Sequence, residues 1–283
     1  MAGEMTVLQD ERPAAAHMPP GQGEPLLLLS HVSLQFRGIR ALNDVSLSVF
    51  AQEIYSIVGP NGAGKTSLAN VISGFYRPLS GSVVFRGRDI TRVPLRNRAR
   101  LGVGRTFQNL ALFPHMSTLD NVLVGRHHLM RSNLVTGAIY WFTGAHQEEL
   151  RHRERVEEII DFIELEPYRH ALAGTLPYGI RKRIELARAL ALEPKLLLLD
   201  EPMAGMNQEE KEDMARFICE ANASLGITVL MIEHDMRVVS DLSHRVMVLD
   251  FGRKVIEDAP RKALNDPTVR AAYLGRLQDS VEA

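Results

Sequence analysis

The chain has 283 residues, with 33 Lys+Arg against 34 Asp+Glu and a formal net charge of -1 at pH 7. That balance excludes a partner held by bulk positive charge, such as a nucleic-acid backbone, and the length suits one α/β core carrying a smaller helical unit. A single cysteine, Cys219, excludes an intramolecular disulfide, and the helical texture around it reads as a buried, inert thiol in a reducing compartment.

The first 25 residues hold prolines at 13, 19, 20 and 25 and no apolar core of signal-peptide length, which reads as a disordered tail without a secretion signal. No run of about 18 apolar residues occurs, so no membrane-spanning helix is expected. Leu26 to Leu29 and Val32 to Phe36 read as strands, and Val45 to Phe50 alternates with period two. Ile54 to Val58 is a short apolar strand that runs into Gly59-Pro60-Asn61-Gly62-Ala63-Gly64-Lys65-Thr66, a complete G-x-x-x-x-G-K-[ST] pattern, and Ser67 to Ile72 continues as a helix. Glycines at 59, 62 and 64 let backbone N–H groups turn inward around phosphates, beside the positive end of the helix dipole. Lys65 is placed to reach the β- and γ-phosphates and Thr66 to offer its hydroxyl to Mg²⁺. A glycine turn with an incidental lysine does not account for the flanking strand and helix, so the pattern implies a nucleoside triphosphate.

Arg77-Pro78-Leu79-Ser80 forms a turn before a strand at Gly81 to Phe85. Arginines crowd positions 86 to 105 without interleaved aromatics, which reads as a solvated basic face rather than a nucleic-acid patch. Gln108 falls where the sheet gives way to helical texture; it is either a plain loop residue or a metal ligand that moves with the helices. Charged, helix-period segments such as Gln147 to Glu164 place a helical subdomain at about residues 109 to 190. Leu196 to Leu199 is a continuous apolar run of the buried parallel-strand type, with Thr228 to Ile232 and Arg245 to Leu249 as its neighbours. Asp200 and Glu201 follow the first of these runs, at the strand end where α/β sheets place ligands. Asp200 suits Mg²⁺, held directly or through water, and Glu201 suits orienting or deprotonating an attacking water. His234 ends the next strand, where an imidazole is able to contact a γ-phosphate.

This set of motifs resembles the nucleotide-binding subunit of an ATP-binding cassette (ABC) transporter over roughly residues 26 to 275, with tails at 1 to 25 and 276 to 283. The resemblance implies a mainly parallel α/β core with an N-terminal antiparallel β subdomain and a helical subdomain. It identifies Phe36 with the aromatic that stacks on adenine, Gln108 with the Q-loop, Asp200 and Glu201 with Walker B and its catalytic glutamate, and His234 with the switch histidine. The signature stretch is Leu176-Pro177-Tyr178-Gly179-Ile180, where the general pattern is Leu-Ser-Gly-Gly-Gln, and Asn207 stands at the D-loop aspartate. Pro177 removes both the hydroxyl and the N–H that would face a partner's γ-phosphate, which weakens anion binding there.

Within the family, Arg105-Thr106-Phe107-Gln108, Tyr178-Gly179, Ala204-Gly205-Met206-Asn207 and the tail Asp266 to Gly275 look similar to the larger ATPase subunit of Liv-type branched-chain amino acid importers. Tyr140-Trp141-Phe142 reads either as core or as a surface resting on a membrane or permease. The likeness implies a dimer with a second ATPase or a second copy, ATP and Mg²⁺ as ligands, integral membrane permeases as partners and an extracytoplasmic solute-binding protein as an indirect one. It also implies a peripheral place on the cytoplasmic face of the membrane. Two other readings stand beside it: a soluble ABC ATPase of translation or DNA repair, and a regulatory subunit that binds nucleotide without hydrolysing it.

Overall fold

The structure is a computed structural model and describes residues 23–106, 111–127, 129 and 145–269. Strands β1 (Leu27–Phe36), β2 (Ile39–Val49) and β3 (Ile54–Val58) lead into helix α1 (Lys65–Ser73), followed by β4 (Ser80–Phe85), β5 (Arg88–Asp89), α2 (Leu95–Arg100) and β6 (Val103–Arg105). Helices α3 (Thr118–Gly125), α4 (Ala145–Phe162) and α5 (Tyr178–Leu190) come next. The chain closes with β7 (Leu196–Asp200), α6 (Gln208–Leu225), β8 (Thr228–Ile232), α7 (Met236–Leu242), β9 (Arg245–Asp250), β10 (Arg253–Asp258) and α8 (Pro260–Asn265).

Two sheets result. One is antiparallel, in the order β2-β1-β4-β5; the other runs β10-β9-β3-β8-β7-β6 and is parallel throughout except at its β10 edge. This is the expected α/β architecture. The segments 27–29 and 32–36 are a single strand interrupted at His31, whose φ of 52° coincides with a register shift against β2. Gly81 of β4 lies so close to this bulge that a Cβ there would meet the His31 carbonyl oxygen at 2.4 Å.

The apolar run of β7 is buried along its whole length because both of its faces are covered. Leu197 and Leu199 join the core formed with α3, α4, α5 and α6, whereas Leu196 and Leu198 face the core shared by α1 and the antiparallel sheet. Strand β8 divides the same way, Val229 and Met231 to one side and Leu230 and Ile232 to the other. The sheet is thus clamped between two hydrophobic layers, each buried Leu or Ile contributing about 1.5–3 kcal/mol, and its strand ends are fixed in space. The tail before residue 23, the 140–142 aromatic trio and the 271–275 segment lie outside the described residues.

Candidate functional site

Strands β3, β8 and β7 run side by side in one direction, with Ile57 paired to Ile232 and Ile232 to Asp200. Their carboxyl ends therefore deliver Gly59, Glu233-His234 and Asp200-Glu201 to one edge of the sheet, the place where such sheets bind ligands.

At the end of β3 the chain turns tightly enough that Gly59 touches the backbone of β9: a Cβ on it would lie 2.0 Å from the Leu249 carbonyl oxygen. Gly62, at φ 80°, faces open space and is required for its backbone conformation alone. Pro60 is buried, and its carbonyl accepts from Ala63 N at 3.1 Å. The Ala63 carbonyl accepts from Gly252 N in the β9–β10 turn at 2.9 Å. Gly64 caps α1 in the left-handed conformation. Lys65 is buried, with Nζ donating to the carbonyls of Gly59 at 2.7 Å and Pro60 at 3.1 Å. Asn61 and Thr66 are exposed and Ser67 is half-buried, so the open side of the loop is polar.

Asp200 is 2% exposed. Its Oδ2 accepts from Arg105 Nη2 at 3.1 Å, while Oδ1 is buried with no hydrogen-bond partner among the described residues. Burial raises its pKa above the usual carboxylate value, opposed by the Arg105 guanidinium and by Lys65. Glu201 sits at φ 50°, a strained conformation for a non-glycine residue, and its N–H donates to the Ile232 carbonyl at 2.9 Å. His234 is exposed. Beneath it, Glu233 is buried and accepts from Met203 N at 3.2 Å and His234 N at 3.1 Å, tying the β8 end to the segment after Glu201. Desolvation raises the Glu233 pKa as well.

Phe36 and Ile39 close the β1–β2 hairpin through Arg37 and Gly38, both at positive φ as a two-residue turn requires. The Phe36 ring packs edge-on against Tyr76 at 4.9 Å and leaves part of its surface exposed. A second group forms on α5 and α6. Pro177 is the N-cap of α5 and supplies no side-chain cap, with Leu176 and Ile180 half-buried on either side. The Tyr178 hydroxyl donates to the Ala204 carbonyl at 3.1 Å, and Gly179 is pressed against Glu210, where a Cβ would lie 2.2 Å from Oε1. Asn207 caps α6: its Oδ1 accepts from Glu210 N at 2.9 Å while Glu210 Oε2 accepts from Asn207 N at 3.0 Å.

The structure brings the phosphate loop, Asp200, Glu201 and His234 to one sheet edge and joins the signature stretch to Asn207 through α6. Gln108 and Phe107 lie outside the described residues. Sequence reading missed Glu233, Glu210 and the direct bond from Arg105 to Asp200, because each depends on which strands become neighbours. The arginines between 86 and 105 are not all a solvated face: Arg98 is fully buried and the Arg105 side chain is 7% exposed. The three-residue strand β6, with Gly102 before it and Gly104 within it, had too little period to place Arg105 inside.

The family model for ABC transporters matches residues 42–204. The chain is 37% identical over 254 residues to the high-affinity branched-chain amino acid transport ATP-binding protein LivG of Escherichia coli (strain K12), an alignment covering 89% of this chain and 98% of LivG. It is 36% identical over 251 residues to BraF, the corresponding protein of Pseudomonas aeruginosa, with the same coverages of 89% and 98%. Its fold is similar to the ADP conformation of MJ1267, an ATP-binding cassette of an ABC transporter, with a TM-score of 0.78 and 31% identity over 89% of this chain and 100% of the other.

Proposed function

The chain belongs to the ABC transporter family as an ATP-binding, ATP-hydrolysing component, and on that premise we propose that it powers an importer of branched-chain amino acids or a related small polar solute. One observation above all supports the site: three neighbouring parallel strands end in a phosphate loop, a buried carboxylate followed by a second carboxylate, and an exposed histidine.

In this reading the adenine rests on Phe36 and the triphosphate lies in the loop Gly59 to Thr66, with Ser67 at the start of α1. Lys65, which donates to two loop carbonyls, exchanges one or both of these bonds for phosphate oxygens. The residues fit a magnesium ion: Asp200 Oδ1 is a buried acceptor without a partner among the described residues, and the exposed Thr66 supplies a hydroxyl oxygen of the kind a hard cation prefers. Asp200, Thr66 and Gln108 would hold it. Bound there, Mg²⁺ neutralises charge developing on the β- and γ-phosphates. Glu201, held at the strand end by Ile232, orients and deprotonates the attacking water, and His234 contacts the γ-phosphate.

Leu176 to Ile180 and Asn207 face the nucleotide of a second ATPase, either another copy of this chain or a distinct subunit. The N–H groups of the first turn of α5 have no intrahelical acceptor and serve as anion donors, even with Pro177 in place of serine. Closure of the pair moves the helical unit at about 109–190, and permease subunits convert that motion into transport. No helix among the described residues is long and apolar enough to cross a membrane, so in this reading the permeases supply the span and the chain sits on the cytoplasmic face. A solute-binding protein outside delivers the cargo.

Affinity purification of the tagged chain from detergent-solubilised membranes tests this. Recovery with two polytopic permeases and a second ATPase is expected; recovery with ribosomes or DNA, or alone, overturns it.

A further inference from the structure

We propose that Arg105 is a positioning residue of the ATP site, fastening the Asp200 carboxylate to the phosphate-loop helix so that Asp200 Oδ1 presents one fixed orientation to Mg²⁺ or its water. The inference rests on the reading of Asp200 given above and extends it to a residue outside the loop motifs.

Arg105 is the last residue of β6, paired in parallel with Leu198 of β7, and from that edge its side chain reaches inward over the end of the neighbouring strand. Its two terminal nitrogens divide their work. Nη2 donates to Asp200 Oδ2 at 3.1 Å; Nη1 donates to Asn70 Oδ1 at 2.6 Å and to Ser73 Oγ at 2.9 Å. Asn70 and Ser73 stand three residues apart on α1 and so share one face of the helix whose first turn holds Lys65 and Thr66. A single planar group thus bridges the helix that opens with the phosphate loop and the strand that ends in Asp200.

A carboxylate left to itself turns about its last bond and presents either oxygen. With Oδ2 occupied, only Oδ1 remains, and it is the oxygen that has no partner among the described residues. The guanidinium and carboxylate side chains are 7% and 3% exposed, so neither is free to swing into solvent. Stability alone does not account for the arrangement, because a buried ion pair of this kind contributes little net folding energy. The geometry also requires arginine: a lysine has one nitrogen and is unable to satisfy the helix and the carboxylate from the two ends of a rigid fork.

Arg105→Lys and Arg105→Met in the full chain, with folding verified by thermal melting, test the proposal through equilibrium binding of a fluorescent ATP analogue with Mg²⁺ and with chelator. The expected result is an affinity in chelator within about twofold of the parent and a Mg²⁺-dependent tightening reduced by about 10-fold, the scale on which partners of metal ligands act. Equal loss with and without Mg²⁺, or no loss in either condition, overturns it. Asn70→Ala combined with Ser73→Ala removes the helix anchor while keeping the Arg105–Asp200 bond; it should give a smaller shift of the same Mg²⁺-specific kind, and a Mg²⁺-independent effect counts against the proposal. Asp200→Asn separates the two layers: if it leaves Mg²⁺ dependence intact, the reading of Asp200 itself fails.

Discussion

Gly59 and Gly62 look equivalent in the loop motif, yet the structure asks different things of them. At Gly59 any Cβ meets the Leu249 carbonyl, a backbone atom that is unable to rotate away, whereas Gly62 needs only its positive φ. Gly59→Ala is expected to destabilise the protein by about 3 kcal/mol through overpacking, and Gly62→Ala by about 1 kcal/mol through backbone strain. Chemical denaturation of the two variants checks the order. The buried carboxyl of Glu233 leads to a second expectation. Its pKa is raised above 4.5, chiefly by desolvation, so the folded state holds this proton more tightly than the unfolded chain does. The stability it contributes is fully present below 4.5 and is lost as pH rises through the raised native value. Relative to Glu233→Gln, the parent should therefore lose stability as pH rises above 4.5; urea midpoints that stay a constant distance apart as the pH is raised would refute this. At this scale spacing made Lys65, Asp200 and His234 legible in the sequence. Glu233 was invisible, because its function is to receive the N–H of Met203 from a different strand end.

Helix α1 shows how an element is finished by distant residues. Its final carbonyls, Val71 and Ile72, accept from Arg98 Nη1 at 2.8 and 2.7 Å, and the same guanidinium donates to Val93 at 2.8 Å and Thr91 at 3.2 Å. Among the described residues no carboxylate is hydrogen-bonded to it; burial pulls the Arg98 pKa down to about 10, and carbonyl oxygens at a helix C-terminus compensate the charge. Arg98→Met removes the guanidinium donor from four carbonyls and should lower stability by about 3 kcal/mol, read from the denaturation midpoint, with a larger effect than Arg96→Met on the exposed side of α2. The strands of the parallel sheet were legible because burial on both faces makes them continuously apolar. The bulge at His31, the brevity of β5 and β6 and the inward arginines were not, since charge at 86–105 looks the same whether it faces water or a helix end.

For the whole molecule, the alignments cover 98% of LivG and 98% of BraF. If Glu201 activates water, Glu201→Gln should retain ATP binding while hydrolysis falls by about 100-fold or more. The uncleaved nucleotide should then hold two cassettes together, whether two copies or this chain with its companion subunit. Light scattering after gel filtration should show the larger mass with ATP and Mg²⁺ and the smaller one with ADP; a monomer under both conditions counts against the dimer.

The contact between Gly59 and Leu249 also sets an order of events during synthesis. The phosphate loop is translated early, but the two strands that flank β3, and the turn whose Gly252 N–H supports Ala63, are among the last segments to leave the ribosome. A nascent chain released after β7 possesses the whole loop motif and its contacts with β2, but lacks the backing from β8, β9 and the turn at Gly252. The loop's support is therefore completed only by the C-terminal strands, late in synthesis.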